Sequence, residues 1–194
     1  MLKNFYIFRN GQSSYNLAGR LQGQSNDSVL TEKGITQAIG TAKFLQDKNI
    51  DIVISSPQRR AKQTGRIVAE TLNKQIQYDS RLIEANLGVA DGMPINKLSK
   101  KNADVLRQWR DCQSRDDHTR FERGESRKEL RTRVLAALQD FANSPYQNMA
   151  VSSHNFSIIE ALHSLQIAKN ELDNGEIVHL QYDGNNWKYV QSLN

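Results

Sequence analysis

The sequence predicts an α/β fold: a three-layer sandwich whose mostly parallel sheet carries helices on both faces, with a helical insertion over the candidate site. Three observations carry this prediction. Short apolar runs at Phe5–Phe8, Ile52–Ile54 and Met149–Ser152 stop abruptly at polar turns, as strands buried on both faces do. Amphipathic helical spacing follows the early runs. Strand and helix then alternate along the first 78 residues, which calls for crossover connections and parallel pairing.

Each element has its own warrant. Phe5-Tyr6-Ile7-Phe8 forms the first strand, and the turn Arg9-Asn10-Gly11-Gln12-Ser13 ends it. Thr31 is a good N-cap, and Ile35, Ala38, Ile39, Ala42 and Leu45 recur at helical spacing, so a helix is expected to about Asp47 with these residues inward. Ile52-Val53-Ile54 is the second strand, closed by Ser55-Ser56-Pro57. A helix from about Gln58 to Leu72 turns Ala61, Gly65, Val68 and Leu72 inward, and Ile76-Gln77-Tyr78 is a third strand. From about 88 to 124 glycines, Pro94 and dense charge break the pattern, and a mostly helical insertion lying over the sheet is expected there. Ser126-Arg127-Lys128-Glu129 is a capping box opening a helix with Leu130, Val134, Leu138 and Phe141 as its stripe. Met149–Ser152 is a strand running into His154, and Ile158, Ile159, Leu162 and Leu165 mark the next helix. Ile177–Tyr182 and Trp187–Val190, joined by Asp183-Gly184-Asn185-Asn186, predict a hairpin.

Length and composition narrow the field. One domain over 1–194, with the insertion at about 88–124, is expected from 194 residues. With 26 Lys+Arg against 21 Asp+Glu, the formal charge of +5 suits a small anionic ligand as well as nucleic acid. Residues 107–133 hold eight Arg and one Lys, but six acids interleave and stacking aromatics are few, so no nucleic-acid partner is expected. Cys112 is the only cysteine, the four histidines lack ligand spacing, and no apolar run reaches spanning length. The expectation is therefore a cytoplasmic protein, monomer or homodimer, without cofactor, metal, membrane contact or cleaved signal.

Three loops leave the carboxyl ends of predicted strands, and each carries unusual polar residues: Arg9 and Asn10, Ser55 to Arg60, and His154. In an open α/β sheet such residues converge on one crevice. Arg9 points to an anion, because a guanidinium offers paired donors to phosphate or carboxylate. Arg60 falls in the first turn of a predicted helix, where a cation is unfavourable unless an anion accompanies it. Asn16, Gln22 and Gly23 continue the first loop.

These stretches resemble the histidine phosphatase superfamily, the phosphoglycerate mutase-like proteins. Arg9-Asn10-Gly11-Gln12-Ser13 with Tyr15-Asn16 is similar to the family's Arg-His-Gly signature, and Ser55-Ser56-Pro57-Gln58-Arg59-Arg60-Ala61-Lys62-Gln63-Thr64 to its Ser-Pro-Leu-x-Arg block. Arg81–Gly88 resembles the block bearing the proton-donating Glu, which falls on Glu84, with Asp91-Gly92 after it. Gly124-Glu125-Ser126 matches the residues before the long helix. Val151-Ser152-Ser153-His154-Asn155 resembles the strand carrying the second active-site histidine. Gln58 stands in the family's Leu place and Asn155 in its usual Gly place. The departure with chemical weight is Asn10, which occupies the position of the nucleophilic histidine.

The resemblance implies a metal-independent phosphomonoester hydrolase working through phosphohistidine. Arg9, Asn16, Arg60, Gln22, Gly23 and Asn155 would hold phosphate, and Glu84 would protonate the departing alkoxide beside His154. An amide nitrogen has given its lone pair to the carbonyl, so Asn10 cannot serve as nucleophile. The chain is expected to bind a phosphorylated small molecule or macromolecule and scarcely to hydrolyse it. Asn10 is then either an introduced substitution that traps substrate or the mark of a natural pseudophosphatase that binds phospholigands. Hydrolysis is favoured over mutase chemistry, which usually brings a longer insertion to exclude water.

Overall fold

A computed structural model of the chain describes residues 1–114 and 116–193. Its centre is a six-stranded sheet of β1 (Lys3–Arg9), β2 (Ile52–Ser55), β3 (Ile76–Tyr78), β4 (Asn148–Ser153), β5 (Ile177–Tyr182) and β6 (Trp187–Leu193), in the order β3-β2-β4-β1-β5-β6. β1, β2, β3 and β4 are mutually parallel, and the β5–β6 hairpin adds antiparallel to β1. The sheet is therefore mostly parallel, as the alternating pattern predicts.

Alternation along the strands builds two cores. Phe5 and Ile7 of β1 join Ile52, Ile54, Met149 and Val151 on one face. Tyr6 and Phe8 join Val53 and Ala150 on the other. Helices α2 (Glu32–Leu45) and α3 (Arg59–Leu72) cover the second face, where Ala42, Leu45, Val68 and Ala69 are buried. Helices α5 (Arg127–Ala142) and α6 (Asn155–Ser164) cover the first with Leu130, Leu138, Ile158 and Leu162. A one-turn helix α1 (Ser14–Leu17) lies in the loop after β1. The capping box at Ser126 forms as predicted, with Glu129 Oε2 accepting from the Ser126 N–H at 2.7 Å.

Two expectations are corrected. α2 starts at its predicted cap, Thr31, but its buried stripe is Gly34, Ala38, Thr41, Ala42 and Leu45, leaving Ile35 and Ile39 exposed. The rotation has a steric cause. Gly34 lies against the backbone of Gly11 and Gln12 so closely that a Cβ at Gly34 would overlap the Gln12 carbonyl. The helix must turn that face inward.

The stretch from 88 to 124 is also less helical than expected. It holds two 3-10 turns (Gly88–Ala90 and Ile95–Lys97) and one α-helix, α4 (Lys100–Arg110), with turns beyond. Nor does it merely lie over the sheet. Leu106, Trp109 and Phe121 are buried in the larger core, and Trp109 packs against Phe156 of α6 with ring centroids 5.0 Å apart. Of the basic residues in 107–133, Arg107, Arg120, Arg127, Arg131 and Arg133 each pair with an acid. No described helix is long and apolar enough to cross a membrane.

Candidate active site

The sheet order assembles the site. β4 comes late in the chain but lies between β1 and β2, with Arg9 beside Ser153 and Ser55 beside Ser152 in register. Their carboxyl ends therefore bring Asn10, Ser56 and His154 together from three separate loops. Asn10 and His154 are almost wholly buried. Asn10 Nδ2 donates to the Gly11 carbonyl at 2.9 Å, which turns its Oδ1 toward His154 Nδ1 at 3.2 Å.

That contact defines the imidazole. An amide oxygen only accepts, so Nδ1 carries the proton and Nε2 is left to accept from Ser56 Oγ at 2.8 Å. Burial pushes the His154 pKa well below its ordinary value, and the guanidiniums of Arg60, Arg133 and Arg9 push the same way. The ring is neutral at physiological pH. Ser56 is absent from the sequence-predicted set; only its place in the loop after β2 hinted at it.

The cations divide between wall and floor. Arg9 reaches Glu171 at 3.3 Å and donates to the Leu172 carbonyl. Arg60 is fully buried, one residue into α3, and donates to the Gly23 carbonyl at 2.8 Å and the Ser25 carbonyl at 3.0 Å. Burial lowers its pKa to about 10, with Arg9 adding to the effect and Glu84 and Asp91 opposing it. The cation near the positive end of α3 is thus offset by loop carbonyls and two carboxylates, where the sequence pointed to a bound anion. Gly23 has φ +47°, and a Cβ there would overlap the Asp91 carboxylate, so its carbonyl can be offered to Arg60 only by glycine.

Glu84 sits at the start of α6. Its carboxylate accepts from the N–H groups of Ala85, Phe156 and Ser157 at 3.0–3.2 Å. It caps the orphan donors of that helix as an N-cap side chain would. Gln58, in the family's Leu place, ties two loops together: its Nε2 donates to Gly23 O at 3.1 Å and its Oε1 accepts from Glu84 N at 2.7 Å. Asn155, in the usual Gly place, accepts from the Leu172 N–H at 2.9 Å. It fastens the segment bearing Glu171 and Asn174 to the crevice, and Asn174 Nδ2 in turn donates to the Asn10 carbonyl at 2.9 Å.

Above the buried trio lies a cavity of about 210 Å³. Arg9, Asn16, Gln22, Gly23, Glu84 and Asn155 all line it, whereas Asn10, Arg60 and His154 lie off its walls. Ser13 Oγ lies 3.0 Å from Asn16 Oδ1 and 2.8 Å from Gln22 Oε1. The amide nitrogens of Asn16 and Gln22 keep no partner among the described residues. A roomier cleft of about 620 Å³, between α2 and residues 173–177, contains none of the predicted site residues. Among the described residues no group of three or more His, Cys, Asp or Glu could hold a metal ion.

A parallel α/β sheet with polar loops at the carboxyl ends of adjacent strands defines the class of α/β proteins that carry their ligand crevice at that end of the sheet. Within that class the family is shown. The chain belongs to the histidine phosphatase superfamily (branch 1), whose model matches residues 5–194. It is 35% identical over 153 residues to "Putative phosphoserine phosphatase 2" of Hydrogenobacter thermophilus, covering 79% of this chain and 73% of that protein. It is 38% identical over 141 residues to "Probable phosphoglycerate mutase GpmB" of Yersinia pestis, covering 72% of this chain and 63% of that one. Among solved structures, a mycobacterial glucosyl-3-phosphoglycerate phosphatase in complex with VO3 has a TM-score of 0.84 at 24% identity, over 96% of this chain and 97% of that one. "Mycobacterial hydrolase 1" reaches 0.86 at 22% identity, over 98% of each chain. At such identities these two structures speak for the fold alone.

Proposed function

We propose that this chain binds phosphate monoesters in the crevice above β1, β2 and β4, and that Asn10 keeps it from hydrolysing them at a useful rate. Arg9, Asn16, Gln22 and the Gly23 loop receive the phosphate, with Arg60 beneath them and Glu84 and Asn155 beside them. The observation that carries the reading is the buried pair at the foot of the crevice. Asn10 stands at the end of β1, 3.2 Å from His154, in the nucleophile's place in the family signature. With histidine there, an imidazole nitrogen would form the bond to phosphorus and the ester oxygen would leave, taking its proton from Glu84. Water would then cleave the phosphohistidine. Asn10 has no nitrogen lone pair with which to begin.

The test is Asn10→His, assayed beside the unaltered chain on a panel of phosphate monoesters. Loss of a nucleophile elsewhere lowers turnover on the order of a millionfold, and a gain approaching that is expected. The variant should acquire an acid-labile, base-stable phosphoryl group on residue 10. The unaltered chain should bind inorganic phosphate and turn over the esters slowly or not at all. Turnover by the unaltered chain equal to the variant's would refute the role given to Asn10. Absence of both phosphate binding and rescued turnover would refute the phosphatase reading.

A further inference from the structure

We infer that Gln58 is a positioning residue: its amide ties the loop that receives phosphate to the peptide that carries Glu84, holding the two ends of the reaction at one separation. The inference rests on the reading above, in which the Gly23 loop takes phosphate and Glu84 protonates the leaving group. It adds a residue that touches neither phosphate nor leaving group.

The geometry is that of a clamp. Gln58 occupies the N-cap position of α3, yet its side chain makes no bond to its own helix, where a capping side chain would satisfy one of the first N–H groups. Gln58 is 6% exposed, and its buried amide spans two loops instead. Nε2 donates to the Gly23 carbonyl at 3.1 Å, and Oε1 accepts from the Glu84 N–H at 2.7 Å. The two bonds differ in what depends on them. The Gly23 carbonyl also receives Arg60 Nη2 at 2.8 Å, so it keeps a partner without Gln58. The Glu84 N–H has no other partner among the described residues. On its other side the same residue is braced through its carbonyl, by Gln24 at 3.2 Å and Arg133 at 2.9 Å.

The chemistry of the side chain suits this place. A carboxamide donates at one end and accepts at the other, whereas a leucine does neither and a carboxylate only accepts. Gln58 itself does not line the cavity, but Gly23 and Glu84 both do, so it acts through them. Glu84 has little freedom to find the leaving oxygen, because N–H groups of Ala85, Phe156 and Ser157 already hold its carboxylate. Its distance from the phosphate loop then decides whether the proton arrives. A misplacement of about 1 Å costs on the order of 10²-fold in rate.

The test compares Gln58→Leu and Gln58→Glu in the Asn10→His protein, on an alkyl and an aryl phosphate. Leucine stands at this place in the family signature and is close to glutamine in size, so the first variant should fold. Gln58→Leu is expected to lower kcat on the alkyl phosphate about tenfold while kcat on the aryl phosphate, whose leaving group needs no proton, stays within about twofold. Gln58→Glu keeps an acceptor for the Glu84 N–H and loses the donor to Gly23. Its alkyl-to-aryl ratio should stay near the parent's, with KM raised about fivefold for both esters. An unchanged ratio in Gln58→Leu, with only a lower denaturation midpoint, would make Gln58 structural and overturn the inference while the phosphatase reading stands. A ratio falling equally in both variants would assign the loss to packing rather than to the Glu84 bond, and would also overturn it. An Asn10→His parent that turns over no ester would remove the inference together with the proton-donor role beneath it.

Discussion

An Asn-Gly dipeptide in a flexible chain loses its side-chain amide when the glycine nitrogen attacks the asparagine carbonyl. At Asn10-Gly11 the fold blocks that attack. The Gly11 N–H donates to Thr64 Oγ1 at 3.1 Å, and the glycine packs so tightly on Gly34 that a Cβ would strike its carbonyl. Intact-mass measurements should therefore show amide loss at residue 10 in denaturant but far more slowly in the folded chain. Equal rates in the two states would contradict the geometry. Glu84 has a double assignment, as helix cap and as proton donor, and these can be separated in the Asn10→His protein. Adding Glu84→Gln should lower turnover on an alkyl phosphate by about 10²–10⁴-fold, and by much less on an aryl phosphate whose leaving group needs no proton. A cap alone would reduce both substrates alike.

At the scale of elements, helix ends and helix faces carry separable energies. The Ser126 hydroxyl accepts from the Glu129 N–H at 3.2 Å, while the Glu129 carboxylate reaches back to the Ser126 N–H. Ser126→Ala should cost about 1 kcal/mol in chemical denaturation. The rotated face of α2 gives a paired test. Leu45 is fully buried, so Leu45→Ala should cost about 2–5 kcal/mol. Ile39 is exposed, and Ile39→Gln should stay within about 0.5 kcal/mol of the parent. If both substitutions cost several kcal/mol, the inward face is the one that the spacing of isoleucines suggests.

For the whole molecule, stability should depend on pH through the buried imidazole. His154 has a folded pKa well below its unfolded value, and His179 shifts the same way because of its burial and Lys48. Above the unfolded value both states are neutral and nothing is lost. Below it the unfolded chain takes up protons that the folded chain refuses, so stability falls as pH is lowered toward the folded pKa. The slope is at most about 1.4 kcal/mol per pH unit for one group. Denaturation midpoints measured downward from pH 7.5 should fall before carboxylates such as Asp79, held below the usual range by bonds from Arg81 that outweigh its burial, begin to titrate. His154→Gln should flatten part of that early slope. A second whole-molecule element is the buried Arg127–Glu160 pair at 2.7 Å, with Arg131 on the other Glu160 oxygen at 2.8 Å. Glu160→Gln would leave two guanidiniums facing an uncharged amide, and a loss of about 3–5 kcal/mol is expected.

What the sequence determined by itself was local. Period-two and apolar-run patterns located the six strands, caps such as Thr31 and Ser126 located helix starts, and polar residues after strand ends marked Arg9, Asn10 and His154 for a common crevice. The Arg-Asn-Gly and Ser-Pro motifs named the family because each signature loop is a contiguous stretch of chain. Tertiary structure alone decided what touches what. Asn10 and His154 are 144 residues apart in sequence, and only the insertion of β4 between β1 and β2 makes them neighbours. Ser56 and Glu171 carry no local mark that separates them from other loop residues. Their contacts with His154 and Arg9 follow from strand order and loop packing. The inward turn of Gly34 likewise depends on backbone more than twenty residues earlier. Periodicity reports which residues avoid water, a property each segment holds alone. Ion pairs, helix caps made by distant carboxylates and the walls of a crevice are set by packing between segments, which no single segment encodes.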